Sequence, residues 1–347
     1  MNPLYKAKQG SALQPGKGLR PFANPLTKDS QGRKSLGRGM GTTSPSCSNF
    51  VVYRKSATAF LVAWALLAEG TQYVTADIYG QMGNQMFQVA AALSYALDHG
   101  AEASFPDLPS AINGELNCKT VFHRVKTDPF PPDAEFHCHD QNLVVENFYY
   151  APIPDFGSEN VRLHAHFNSE KYFIQHEEAI RELFAPSEEI KTEILSKYGH
   201  LLSGTTVAVH VRTFLPDGHS EPMHVPRNLV HYRWHYYNQA MDAFPKDALF
   251  LIFSDDVEWT RRNFRPSRSN VIFIDGNPHY IDFYLMSFCD HQIVSYDSTY
   301  SWWAAWLNTN PEKTVIIPDT AGGCPNPDYL PASWKKIPRF PPNVQRS

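Results

Sequence analysis

Gly80-Gln81-Met82-Gly83-Asn84-Gln85-Met86-Phe87-Gln88 follows a strand-like run at 73–79. It leads into an apolar-periodic run (Met86, Ala90, Leu93, Leu97) that stops at Gly100. The order is strand, glycine turn, helix. Glycines let such a turn take positive φ and let a ligand approach bare backbone. The helix start behind the turn offers free N–H groups and the positive end of a dipole, which suit an anion. By itself the turn is equally consistent with a plain structural connection.

The pattern beyond it is the same unit repeated. Residues 205–317 alternate strand and helix: strands at 207–211, 248–253, 271–274, 292–296 and 313–317, and helices at 234–244, 258–264, 281–289 and 300–307. Such alternation predicts parallel sheet built from βαβ units. Between the two regions lies a Pro- and His-rich stretch, 130–154, read as loops and short strands. A strand at 161–167 and helices around 172–183 and 188–198 follow. No internal repeat is evident.

Composition narrows the class. The chain has 347 residues, 42% hydrophobic and 13% aromatic, enough for large buried cores. Residues 1–57 hold ten Lys/Arg and one acidic residue, about +9. With a net charge of −4 overall, the remainder carries −13. An acidic body argues against a nucleic-acid surface. Residues 1–50, rich in Gly, Pro, Ser and basic residues, are expected to be disordered. Residues 57–68 (ATAFLVAWALLA) form an apolar run of twelve. That is short of the roughly 20 residues a membrane-spanning helix needs; the length suits a signal-peptide core but the position does not, and a buried or interfacial amphipathic helix is the expectation. Five scattered cysteines (Cys47, Cys118, Cys138, Cys289, Cys324) contain no CxxC pair and so no zinc spacing. Free thiols are expected. A nicotinamide dehydrogenase is disfavoured, since no GxGxxG follows a strand with an acidic residue about 20 positions on.

Several separated motifs occur in order: the glycine turn; Asn168-Ser169-Glu170-Lys171-Tyr172-Phe173; Thr206-Val207-Ala208-Val209-His210-Val211-Arg212; Phe253-Ser254-Asp255-Asp256; Asp282-Phe283-Tyr284-Leu285-Met286-Ser287; Ser298-Thr299-Tyr300-Ser301-Trp302-Trp303; and Pro331-Ala332-Ser333-Trp334. Together they resemble glycosyltransferase family 11, the α-1,2-fucosyltransferases, over roughly residues 73–337. The resemblance implies an α/β, GT-B-like architecture of two Rossmann-like domains facing a cleft. The expected boundaries are a basic segment at 1–57, an apolar helix at 58–72, an acceptor-side domain at 73–203, a GDP-fucose-side domain at 204–337 and a tail at 338–347. The implied reaction moves L-fucose from GDP-L-fucose to the 2-hydroxyl of a galactoside, with inversion and without a metal or other cofactor. The expected partners are GDP-L-fucose and a galactose-terminated glycan or glycolipid, with peripheral membrane contact. The compartment is left open between a cytoplasmic membrane face and the Golgi lumen.

Arg212 ends the first strand of the second region, at the edge where open α/β sheets bind ligands. A guanidinium there can grip a diphosphate and stabilise its charge as it leaves. His210 shares that strand face and is read either as packing beneath the phosphate or as a plain core histidine. Ser298, Thr299 and Ser301 open the last long helix and offer a second phosphate cradle, or simple capping. Gly83, Asn84 and Gln85 are expected to approach the diphosphate from the first domain. Asp255 and Asp256 could hold a metal or accept hydrogen bonds from ribose or guanine; the resemblance implies nucleotide contact without metal. Trp302, Trp303 and Trp306 are read as core.

The chain departs from the family pattern in two places. The family has a second Arg, Gly and Asp after His-x-Arg; here Thr213-Phe214-Leu215 stand there. The family usually has Asn where this chain has Asp297, and a carboxylate beside a diphosphate is unfavourable unless it is paired or turned away. Asp217, His219 and Glu221 are within reach of the altered segment, with Asp217 and Glu221 as base candidates. The alternative function is a catalytically impaired relative that binds sugar nucleotide or glycan without turnover.

Overall fold

A computed structural model describes residues 72–213, 230–321, 324–325 and 327–341. The basic segment, the apolar run at 57–68, Asp217, His219 and Glu221 lie outside the described residues. Among the described residues no helix is long and apolar enough to cross a membrane.

The first part of the chain runs β1 (Tyr73–Ala76), α1 (Met82–His99), β2 (Glu102–Ala103), α2 (Gly114–Lys119), β3 (His137–Asp140), β4 (Val161–His164), α3 (Glu177–Leu183) and α4 (Glu188–Tyr198). Its sheet has the order β2-β1-β4-β3, all parallel. Two of these strands, β2 and β3, carry no strand-like alternation of their own, and β3 reads His-Cys-His-Asp.

The second part runs β5 (Thr206–Val211), α5 (Val230–Met241), β6 (Leu249–Ser254), α6 (Val257–Asn263), β7 (Val271–Phe273), α7 (His279–Phe288), β8 (His291–Ile293), α8 (Thr299–Leu307) and β9 (Val315–Pro318). A short antiparallel hairpin follows, β10 (Thr320–Ala321) with β11 (Cys324–Pro325), and then β12 (Lys335–Ile337). The strand order is β12-β9-β8-β5-β6-β7, every pair parallel. Read from β7, that is the doubly wound order 3-2-1-4-5-6. β5 is fully buried, as a central parallel strand should be. The α/β, GT-B-like expectation of two Rossmann-like sheets is thus met. Chain order reverses between β5 and β8, and the carboxyl ends of those two strands open the crevice that this topology uses for ligands.

One continuous apolar core joins the two sheets. Phe87 of α1 packs its ring 4.7 Å from Trp302 and 4.9 Å from Trp303 of α8. All three tryptophans of α8 are buried, in agreement with their reading as core. The closest approach is at the helix starts. A Cβ built on Gly83 would lie 2.6 Å from the Thr299 carbonyl carbon and 2.7 Å from the Tyr300 nitrogen. Those are backbone atoms and cannot rotate away. Gly80, at φ +77°, makes the preceding turn, so both glycines of the stretch have a structural cause.

Gly83→Ala is therefore expected to destabilise the fold by about 1–3 kcal/mol, the usual cost of overpacking. Chemical denaturation checks it. An unchanged midpoint would mean that α1 and α8 do not meet at this residue.

Candidate active site

Three helix starts face one cleft of about 500 Å³. Its walls include Met82, Gly83 and Asn84 at the start of α1, His279 and Asp282 at the start of α7, and Asp297, Ser298 and Thr299 at the start of α8. His210, Arg212 and Asp255, at the carboxyl ends of β5 and β6, complete it. Neither α1 nor α7 has a side-chain cap at its first turn. Backbone N–H groups and helix dipoles therefore point into the cleft, and an anion is the complementary occupant.

Arg212 is fixed from two directions. Its backbone N–H donates to Ser295 Oγ at 3.0 Å, and its Nη1 donates to Asp255 Oδ2 at 2.8 Å. The other Asp255 oxygen, Oδ1, accepts from the Thr213 N–H at 2.7 Å. Asp255 thus orients the guanidinium with one oxygen and pins the loop with the other. Thr213, where the family pattern has its second Arg, is fully buried. That position contributes a backbone N–H to Asp255 and no cation to the cleft.

His210 reaches the cleft wall yet is 4% exposed, and burial pushes its pKa well below the ordinary histidine value. The Asp255 carboxylate opposes that shift and Arg212 reinforces it. His210 is neutral at pH 7, with Nδ1 3.3 Å from Ser298 Oγ. Ser298 caps α8 by accepting from the Ser301 N–H at 3.4 Å, so it links the β5 end to the helix start. Asp297, just before it, has φ +49°, a left-handed conformation that Asn and Asp tolerate best among side chains with a Cβ.

The structure brings together Gly83, Asn84, His210, Arg212, Asp255, Ser298 and Thr299. Three expected site residues are placed elsewhere. Gln85 is buried and donates to the carbonyls of Gly80 (2.9 Å) and Ile112 (3.0 Å), while its Oε1 accepts from Asn117 (3.2 Å). Asn117 in turn bonds His279 at 2.9 Å. Gln85 therefore braces the cleft from behind. Asp256 caps α6, its Oδ1 accepting from the Trp259 N–H at 2.8 Å. Ser301 faces inward, where its Oγ accepts from the Ser295 N–H at 3.3 Å. Among the described residues no group of three or more His, Cys, Asp or Glu could hold a metal.

Sequence reasoning missed the opposite wall. Asn277, His279 and Asp282 line the cleft. Helical spacing of His279 and Asp282 in the first turn of α7 was the available signal. Burial raises the Asp282 pKa to about 6, opposed by a hydrogen bond from Asn277 Nδ2 at 2.7 Å and by Lys197.

A doubly wound sheet with an oriented arginine at its switch point and three helix starts on one cleft is the arrangement in which open α/β sheets bind ligands. The sequence profile of glycosyl transferase family 11 matches residues 47–323, well over half of the chain, and the chain belongs to that family. It is similar to the alpha-1,2-colitosyltransferase of Escherichia coli, with 27% identity over 269 residues, covering 71% of this chain and 91% of that protein. It is also similar to galactoside alpha-(1,2)-fucosyltransferase 1 of Plecturocebus brunneus, at 28% identity over 244 residues, 66% of this chain and 63% of that one. The chain thus spans less than two thirds of the length of that second relative. Of solved structures, fucosyltransferase NodZ from Bradyrhizobium overlays with a TM-score of 0.42 at 15% identity, covering 68% of this chain and 92% of that one. That overlay is too loose to bear on the site.

Asp282 gives a pH-dependent prediction. Its folded pKa, about 6, lies above the ordinary 3.8, so the folded state binds the extra proton between those values. Stability then falls as pH rises from about 4 through about 6, and the full penalty holds above that range. Asp282→Asn keeps an oxygen for Asn277 and removes the charge. It should raise Tm at pH 7.5, by a stabilisation on the order of 2–3 kcal/mol, with no gain at pH 4. A Tm difference independent of pH would contradict the raised pKa.

Proposed function

We propose that this chain transfers L-fucose from GDP-L-fucose to the 2-hydroxyl of a galactoside, with inversion and without a metal. The single observation that carries this reading is Arg212, locked by Asp255 at the switch point and facing the starts of α1 and α8. Negative charge grows on the β-phosphate as the sugar–oxygen bond breaks. A guanidinium already oriented stabilises that charge without reorganising in the transition state. The α1 and α8 N–H groups add fixed positive potential from either side. Asp255 pairs with the Arg212 guanidinium and the Thr213 N–H, which places a fixed cation where a metal would otherwise be needed.

The other wall suits the nucleoside. A partly buried carboxylate near a diphosphate is tolerable only where it meets hydrogen-bond donors. Guanine presents two neighbouring N–H donors, and the Asp282 carboxylate offers an acceptor on that wall. The family match supports a glycosyl transfer. The names of the relatives support a 6-deoxy sugar such as fucose, and an α-1,2 link. Asp217 and Glu221 are the proposed bases for the acceptor hydroxyl, and peripheral membrane attachment is proposed for the basic segment with the apolar run at 57–68. The second reading, a relative that binds donor without turnover, is favoured by one observation: Thr213 supplies no second cation.

The test is GDP release from GDP-L-fucose with and without lactose or another galactoside, with the product linkage determined. Acceptor-dependent release with a new α-1,2 link is expected. GDP binding with no product would favour the second reading. Arg212→Ala should lower kcat/KM by about 2–4 kcal/mol of transition-state stabilisation, the usual loss for one preorganised donor. Lys at this position should recover only part, since an ammonium lacks the planar fork. Near-normal transfer by Arg212→Ala would remove Arg212 from the mechanism. Activity should also persist after exhaustive EDTA treatment; loss that Mn²⁺ or Mg²⁺ restores would make the site metal-dependent.

A further inference from the structure

Gln85 and Asn117 are fully buried, and their side chains link α1, α2 and the start of α7 behind the cleft. The direction of each hydrogen bond in that link is fixed. Gln85 Nε2 lies 2.9 Å from the Gly80 carbonyl oxygen and 3.0 Å from that of Ile112. Carbonyl oxygens only accept, so the Gln85 amide stands one way round. Its Oε1 is thereby left to accept from Asn117 Nδ2 at 3.2 Å. Asn117 Oδ1 then faces His279 Nε2 at 2.9 Å. An amide oxygen has no proton to give, so His279 carries its hydrogen on Nε2. Burial lowers the His279 pKa, and the ring is neutral at pH 7. A neutral imidazole protonated on Nε2 keeps a lone pair on Nδ1. Nδ1 takes no hydrogen-bond partner among the described residues. The Tyr300 hydroxyl donates to the His279 carbonyl and holds the residue from the α8 side.

His279 lines the cleft, and so does Asp282, three residues along the same helix. Residues at that spacing are neighbours on one helix face. The wall therefore offers two adjacent acceptors, a carboxylate and an imidazole nitrogen. Guanine carries two donors on adjacent atoms, N1–H and the 2-amino group. Adenine has a lone pair at N1 and no donor at C2. We infer that His279 Nδ1 accepts from the 2-amino group of the donor's guanine, with Asp282 taking the N1–H beside it. The carboxylate suits N1–H because that is the more acidic donor. This rests on the reading of the cleft as a GDP site. His279 is then a specificity residue, and Gln85 and Asn117 set its tautomer through hydrogen-bond direction alone.

The experiment measures binding of GDP, IDP and ADP by calorimetry, with donor KM and kcat, for the full chain and for H279Q. IDP carries hypoxanthine, which is guanine without the 2-amino group. The amide of Gln reaches the place of Nε2, so H279Q keeps a donor for Asn117 and loses the acceptor at Nδ1. The unaltered protein should bind GDP about tenfold tighter than IDP, the effect of one hydrogen bond whose loss leaves a group unpaired, and ADP more weakly than either. In H279Q the ratio should fall below about threefold, through weaker GDP binding with IDP binding unchanged. Donor KM should rise while kcat stays within about threefold, because guanine is remote from the breaking bond. A residue that only braced α7 would shift GDP and IDP alike. Nitrogen NMR of the His279 ring needs no variant. It should show a protonated Nε2 and a bare Nδ1 whose resonance moves further upfield with GDP than with IDP. If the unaltered protein binds none of the three nucleotides, the GDP reading of the cleft fails. If it binds GDP and IDP equally, or H279Q keeps the ratio, or Nδ1 is protonated or unmoved by GDP, the role of His279 is overturned while the GDP reading stands. If H279Q does not fold, the nucleotide ratio of the unaltered protein and its spectra decide.

Discussion

The contact at Gly83 is the constraint on which the site depends. Glycine there lets the start of α1 lie against the backbone of Thr299 and Tyr300 at the start of α8. Two helix dipoles from two different sheets therefore converge on one cleft wall. Like dipole ends repel, and the arrangement is held by apolar packing farther along, where Phe87 meets Trp302 and Trp303. Burial of those large rings offsets the electrostatic cost of the convergence. The N-terminal ends of two helices thus meet at one wall of the cleft.

The second sheet brings Arg212, Asp255 and Ser298 to the cleft, and the first brings the start of α1. Because chain order reverses between β5 and β8, the strand ends there part and leave room for a ligand. Arg212 emerges past β5, Asp255 past β6, and Ser298 after β8. Each is held by its neighbours before any ligand arrives: Asp255 grips Arg212, Ser295 accepts from its backbone, and Ser298 touches neutral His210. Preorganised donors of this kind cost no reorganisation when charge develops. Asp282 carries a cost on the opposite wall, since burial raises its pKa to about 6 and its charge at neutral pH then weighs against folding.

Much of this was legible in the residues. The alternation of strands and helices from 205 to 317 gave the second sheet nearly strand for strand, because buried parallel strands are continuous apolar runs. Arg212 followed from its place at a strand's carboxyl end. The illegible parts have a common cause in tertiary pairing. β3 is His-Cys-His-Asp and β12 is Lys-Lys-Ile; neither has a strand period, and each exists because a neighbouring strand pairs with it. Gln85 and Asp256 stand in motifs that face the cleft, yet each side chain turns to a local backbone partner. The polar wall of Asn277, His279 and Asp282 depends on how α7 is rotated against α8, which one helix's sequence does not specify.

The measurement closest to the central claim is a crystal structure of the protein with GDP. The diphosphate should lie between the Arg212 guanidinium and the starts of α1 and α8, with the base toward Asp282. A diphosphate bound away from Arg212, or a GDP that leaves this cleft empty, would contradict the assignment of the site.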